Sequence, residues 1–229
     1  VYSLEQVINQ QVELPNGFLP LQYFNDYLQK GYYPFSAQDD DFASYIRQVV
    51  NVTLENDIPQ YAELTAATAR KLKQLLGIIA QSAPFKPNFT AIGGQINISR
   101  NVVADFCTYI EKSGLISQLR EPTGGIMALG KVEKIYLDNP VLIHVLGDPM
   151  VEIGTIREAF FFNQTRLLHR VCSSPAADFL VDGKYTFEVG GKKKKQRQIQ
   201  GLSDAFVVKD DIETGYGNII PLWMFGLLY

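Results

Sequence analysis

The residues best equipped for chemistry are two carboxylates and a run of lysines in the last third of the chain. Asp178 and Glu188 fall on consecutive segments of strand character, and Lys192, Lys193, Lys194 and Lys195 follow the glycine pair Gly190-Gly191. Carboxylate oxygens are the ligands that hard divalent cations prefer, and a cation so held polarises a phosphoryl group or activates water. Asp178 and Glu188, with Glu158 upstream in a helical pattern and the lysines from Lys192, make the sharpest local constellation in the chain. Other chemistries are excluded by spacing. Cys107, Cys172, His144 and His169 are scattered without metal-ligand intervals, so neither a zinc site nor a Cys/His nucleophile is expected. No Gly-x-x-x-x-Gly-Lys-[Ser/Thr] run supplies a phosphate cradle, and Gly190-Gly191-Lys192 lacks both its spacing and its hydroxyl residue.

Residues 147–229 must position the carboxylates. Gly154 to His169 is a helical pattern, followed by strand-like runs at Ala176–Val181, Tyr185–Val189, Ala205–Val208 and Ile219–Leu227, with turns such as Asp182-Gly183 between them. Lys192 to Leu202 reads as a basic helix ahead of the third run. One helix, a meander of strands, another helix and a further strand make a small α/β unit. Residues 61–146 have a different order. Tyr61 to Gln81 reads as a long amphipathic helix, Asn88–Ile92 as a short one that Gly93-Gly94 weakens or ends, and Ser99 caps a third whose Val103, Phe106 and Ile110 face inward until Gly114. Two strand-like runs follow, Leu115–Arg120 and Lys131–Leu137, joined by a turn containing Pro122 and Gly124-Gly125. Three helices and a hairpin are the order of a winged helix, in which the third helix commonly reads DNA. Residues 1–60 read as helices punctuated by Pro15-Asn16-Gly17, Gly31 with Pro34, and Asp39-Asp40-Asp41. The fold class expected is α+β.

Charge narrows the partners. The net charge is −3, but residues 1–60 hold 8 acidic and 2 basic side chains, residues 61–140 hold 6 and 9, and residues 141–229 hold 10 of each. Only the middle segment suits an anionic partner, and its excess is far below that of a dedicated DNA binder. If DNA is contacted, the candidates are Arg100, Asn101 and Lys112 on the third helix, Lys131 on the hairpin, and Lys193, Lys194 and Lys195. Arg and Asn pair with base edges, whereas Asp105 and Glu111 on the same helix would repel phosphates. No apolar run approaches the ~18 residues of a membrane span, and nothing resembles a secretion signal, so a cytoplasmic location without membrane partners is expected. The start at Val1-Tyr2-Ser3, without an initiator Met, suggests a piece of a longer chain.

Several short motifs, in order, resemble the C-terminal region of AAA-type ATPases of bacteria and archaea. They are Asp57-Ile58-Pro59, Lys134-Ile135-Tyr136-Leu137-Asp138, Gly154-Thr155-Ile156-Arg157-Glu158, Phe187-Glu188-Val189-Gly190-Gly191-Lys192 and Gly217-Asn218-Ile219-Ile220-Pro221-Leu222-Trp223. The resemblance implies that residues 1–60 end the lid of an ATPase core lying elsewhere, residues 61–146 form a winged helix, and residues 147–229 form a domain similar to restriction endonucleases. ATP and magnesium would belong to that core, and no cofactor is expected here beyond magnesium at the nuclease-like site. In such domains an Asp and a Glu on adjacent strands hold the cation, a helix glutamate assists, and a lysine positions the attacking water. The family pattern puts that lysine two residues after the glutamate, where this sequence has Gly190. Lys192 lies roughly 7 Å further along an extended strand and returns only if the glycine pair bulges.

The degenerate set Glu158, Asp178, Glu188 and Lys192 favours a regulatory or coupling module, catalytically impaired, whose first partner is its own ATPase core. A magnesium-dependent DNA-processing nuclease is the alternative. A structural oligomerisation element is the third class.

Overall fold

The computed structural model describes residues 1–37, 41–123, 130–147, 152–195 and 197–228. Asp39, Asp40 and the Gly124-Gly125 turn, singled out above, lie outside the described residues. The elements are mixed helix and sheet, an α+β fold, and they group into two compact units. One comprises Lys30–Gln118 and Val132–Val151; the other comprises Val1–Gln29, Leu119–Lys131 and Glu152–Tyr229. This grouping cuts across the three consecutive segments read from the sequence, because pairing between distant segments leaves no local pattern.

The helical unit begins with α3 (Phe42–Val52), following α1 (Leu4–Ile8) and α2 (Pro20–Lys30) in the chain. A π-type turn, Thr53–Asp57, leads from α3 into α4 (Ile58–Tyr61), and the Ile58 N–H reaches back five residues to the Thr53 carbonyl. The chain then breaks at Glu63, which has φ +52°, and α5 (Ala66–Ser82) starts afresh under a Thr65 cap. The single helix expected from Tyr61 to Gln81 is thus two elements. α6 (Phe89–Ile96) runs through Gly93-Gly94 instead of ending there, closing at Asn97 in the left-handed region. Gly93 is needed for contact: a Cβ there would lie 2.5 Å from the Ile98 carbonyl oxygen. α7 (Arg100–Lys112) is capped by the Ser99 hydroxyl and buries Val103, Phe106 and Ile110, as its spacing predicts, with Cys107 buried beside them. β1 (Ile116–Arg120) pairs with β2 (Val132–Leu137). α8 (Pro140–Leu146), capped by Asn139, was not anticipated; seven residues are too few for a readable period.

In the sheet unit, α9 (Ile153–Arg166) packs on five strands: β3 (Val171–Ser173), β4 (Phe179–Val181), β5 (Tyr185–Gly190), β6 (Ala205–Lys209) and β7 (Ile219–Pro221). Their order in space is their order in sequence, with β3, β4 and β5 antiparallel and β6 and β7 added parallel. α9 is buried on every side from Ala159 to Thr165, so its pattern is not amphipathic. Phe161 anchors the core, with ring centroids 5.0 Å from Phe179, 5.2 Å from Phe187 and 4.7 Å from Phe225. Phe161→Leu replaces a ring that three others enclose with a smaller branched chain, and chemical denaturation should show a loss of about 1–3 kcal/mol. The N-terminal segment belongs to this unit too. The Tyr2 N–H donates to the Leu227 carbonyl at 2.9 Å, and Gln10 Nε2 to that of Ile219 at 3.2 Å.

Two expectations fail here. The basic helix from Lys192 to Leu202 is only a 3-10 turn at Arg197–Ile199, because the chain is first drawn back toward β5. The run Ile219–Leu227 stops being a strand at Pro221, which has no N–H for a ladder, and continues as 3-10 helix. No helix among the described residues is long and apolar enough to cross a membrane.

Candidate active site

β5 lies between β4 and β6, so its residues are covered from both edges. The β4–β5 register runs Val181↔Tyr185, Leu180↔Thr186, Phe179↔Phe187. One step further, Asp178 stands opposite Glu188, which puts the two carboxylates on one face at the distance of cross-strand neighbours, roughly 5 Å between Cβ atoms. Asp178 Oδ2 accepts the Val189 N–H at 2.8 Å, which ties its side chain to β5 one residue past Glu188. Glu188 is 1% exposed. A buried carboxylate requires partners to offset its lost hydration, and Glu188 has one: its Oε1 is ion-paired with Lys194 Nζ. Its Oε2 is buried and has no hydrogen-bond partner in the protein.

The lysine at this site is Lys194, not Lys192. Past β5 the chain turns, the Lys194 N–H bonding the Gly191 carbonyl at 2.8 Å, and the Lys194 stem folds back across Gly190. A Cβ on Gly190 would lie 2.7 to 2.9 Å from three carbons of that stem, so the absent side chain is what admits the lysine. A turn after the glycine pair therefore brings a lysine to Glu188, but it is Lys194 and not the expected Lys192. Lys192 is exposed and offers only its carbonyl, which accepts from Lys209 Nζ at 3.3 Å. Burial acts to lower the Lys194 pKa, but the hydrogen bond to Glu188 and the negative charges of Glu188, Asp178 and Glu158 outweigh it and raise the value. Glu158, half-buried on α9, thus belongs to the electrostatic environment of this lysine.

The structure brings Asp178, Glu188 and Lys194 together, with Glu158 near enough to be felt. Among the described residues, no group of three or more His, Cys, Asp or Glu side chains is arranged to hold a metal ion. A cation here would rest on the Asp178 and Glu188 oxygens, with water and substrate completing its shell. Sequence reasoning missed Lys194 as the reaching lysine. The signal available was Gly190-Gly191 itself, since two residues without side chains at a strand end mark a close approach.

The candidate DNA contacts are dispersed. Arg100 and Asn101 are exposed at the first turn of α7, whereas Lys112 lies at its last turn, about 18 Å away along the axis, donating to the Tyr61 hydroxyl at 3.2 Å. Glu111 is not a free phosphate-repelling charge: its two oxygens accept the Gln118 N–H and Nε2, each at 2.8 Å, tying α7 to β1. Lys131 is exposed, with Glu121 3.8 Å away, and Lys193 and Lys195 are exposed beside the turn that carries Lys194. Cys107 and Cys172 are buried thiols that form no disulfide among the described residues, and His169 pairs with Asp182 at 2.7 Å.

The chain belongs to a family described as a domain of unknown function (DUF8612), which matches residues 21–150. No curated protein and no solved structure matches it. The matched residues span most of the helical unit and end before α9, so the site just described lies beyond them.

Proposed function

We propose that the sheet unit is a magnesium-dependent nuclease module that hydrolyses phosphodiester bonds in DNA. The observation that supports this reading best is the state of Glu188: buried, opposite Asp178, one oxygen on Lys194 and the other without a partner. An orphaned buried carboxylate oxygen is costly to keep, and a hard cation is the partner whose chemistry fits it. The coupling-module reading rested on the missing lysine, and Lys194 supplies one. The order of the unit, one helix, an antiparallel meander of three strands and then two strands added parallel, is compatible with the nuclease-like domain that the sequence motifs imply.

A bound cation would polarise the scissile phosphate and lower the pKa of its attacking water. The protein's own share follows from the geometry. Asp178 and Glu188 present oxygens from adjacent strands, and the backbone N–H of Val189 orients the first of them. Lys194 is kept protonated by the surrounding carboxylates, ready to orient a water or to stabilise negative charge growing on a phosphate oxygen. Exposed Lys193 and Lys195 would contribute affinity for the nucleic-acid backbone without reading sequence. Attachment to an AAA-type ATPase core, in a cytoplasmic protein, belongs to the same proposal through the motif resemblance.

The test is direct. Supercoiled plasmid incubated with the protein and Mn²⁺ or Mg²⁺ should be nicked, the nicking should cease with EDTA, and it should be absent in Asp178→Asn. Cleavage that survives Asp178→Asn, or none with either cation, overturns the reading.

A further inference from the structure

Lys194 meets Glu188 from the turn after β5, and that turn is bonded to residues outside the site. The Arg157 guanidinium, on α9 directly before Glu158, is nearly buried, with Nε 2.8 Å from Asp210 Oδ2 and a terminal nitrogen 3.6 Å from Asp211. Asp210, also buried, follows β6, and its backbone N–H donates to the Gly190 carbonyl at 2.9 Å. The Asp210 Oδ1 accepts the next N–H, that of Asp211, at 2.8 Å, so the carboxylate is fixed at both oxygens. Arg157 in turn lies flat against the following glycine. A Cβ on Gly191 would be 2.9 Å from its nearest nitrogen and 3.2 Å from Cζ. Helix α9, the end of β6 and both glycines are thereby joined at the point where the chain reverses to bring Lys194 back.

We propose that Arg157 and Asp210 are positioning residues that clamp the Gly190-Gly191 turn and so aim Lys194 at Glu188. The role of this clamp in turnover rests on the nuclease reading above; its effect on Lys194 does not. Arg157 suits the task for a physical reason. Its planar fork bonds Asp210 through Nε while the outer face of the guanidinium covers a residue that has no side chain. Lysine at the same position keeps the charge but has neither the fork nor the plane.

The test reads the Lys194 ammonium group itself. In an ¹H–¹⁵N spectrum tuned to lysine side chains, ammonium protons held in an ion pair exchange slowly enough to be seen, whereas those of solvated lysines are lost. A Lys194 resonance, assigned by its disappearance in Lys194→Gln, is expected in the full chain and should vanish in Arg157→Gln, Asp210→Asn and Gly191→Ala. Arg157→Lys should restore it only in part. Gly191→Ala is the mildest of these, leaves both charges in place, and keeps the test decisive if removing a buried charge unfolds the unit. A resonance unchanged in Gly191→Ala and in the folded clamp variants overturns the proposal. On DNA with Mn²⁺, the same variants should lower kcat by roughly ten-fold or more, the loss expected of a misplaced catalytic contact, with KM little changed. If the wild-type chain cuts nothing yet its Lys194 resonance responds as described, the nuclease reading fails and the clamp stands.

Discussion

Lys194→Gln is expected to lower cation-dependent DNA cleavage by about 10²–10³-fold, the loss typical of removing one preorganised donor from a developing charge. Lys192→Gln should leave the rate unchanged, because its side chain is exposed and makes none of the contacts at Glu188. A gel assay of plasmid nicking with both variants separates the two lysines at once. The same substitution should weaken the fold. It leaves the Glu188 carboxylate, 1% exposed, without its ionic partner, and stranding one member of a buried pair costs about 3–5 kcal/mol. The lower end applies, since the Lys194 side chain keeps 33% of its surface in solvent. Stability should also depend on pH through this pair. The folded pKa of Lys194 is raised above its ordinary value of 10.5, so its contribution is complete below that value and is lost as pH climbs through the raised one. In denaturant titrations over a pH series, the difference between wild type and Lys194→Gln should be constant below 10.5 and should close only as pH passes the raised Lys194 pKa.

Glu188→Gln is expected to reduce cleavage by at least as much, about 10³-fold, yet to cost far less stability. The amide cannot serve as an anionic ligand, so the cation loses one of its two protein carboxylates. The freed Lys194 ammonium, already one-third exposed, can instead turn toward water. Each single variant thus has its own signature: Lys194→Gln is inactive and unstable, Glu188→Gln inactive and nearly as stable as wild type. The double variant should regain stability relative to Lys194→Gln alone, since no unpaired carboxylate remains in the strand. Isothermal titration with Mn²⁺ supplies the second measurement. Wild type should bind, and Glu188→Gln should not. Binding of equal strength in both would remove Glu188 from the cation site.

How far this site was legible can be judged residue by residue. Asp178 and Glu188 were readable because strand order and alternation are local properties, and β4 and β5 follow one another through a tight turn at Asp182-Gly183. α7 was readable for the same reason: a Ser cap and inward residues at helical spacing lie within one element. Lys194 was not, because extending the strand period past Gly190 assumes an extended chain, and the chain reverses there. Glu111 was misread as a surface charge because its partner, Gln118, lies on another element. β3, three residues long, was too short to carry a pattern at all, and the clamp between Arg157 and Asp210 spans 53 residues.

The bond from Tyr2 to Leu227 sets a timetable for the chain as it is made. Leu4, Val7 and Ile8 of α1 are buried in a unit made of residues 1–29, 119–131 and 152–229, so most of that unit is made after residue 118. The helical unit, residues 30–118 and 132–151, is synthesised between those segments, so its helices have their partners while α1 still lacks most of its own. A ribosome moving at about 5–20 residues per second therefore leaves the α1 apolar face uncovered for roughly ten seconds or more. Premature termination anywhere between α9 and β7 would release a chain with the helical unit complete and the apolar face of α1 exposed, a substrate for chaperones and proteases.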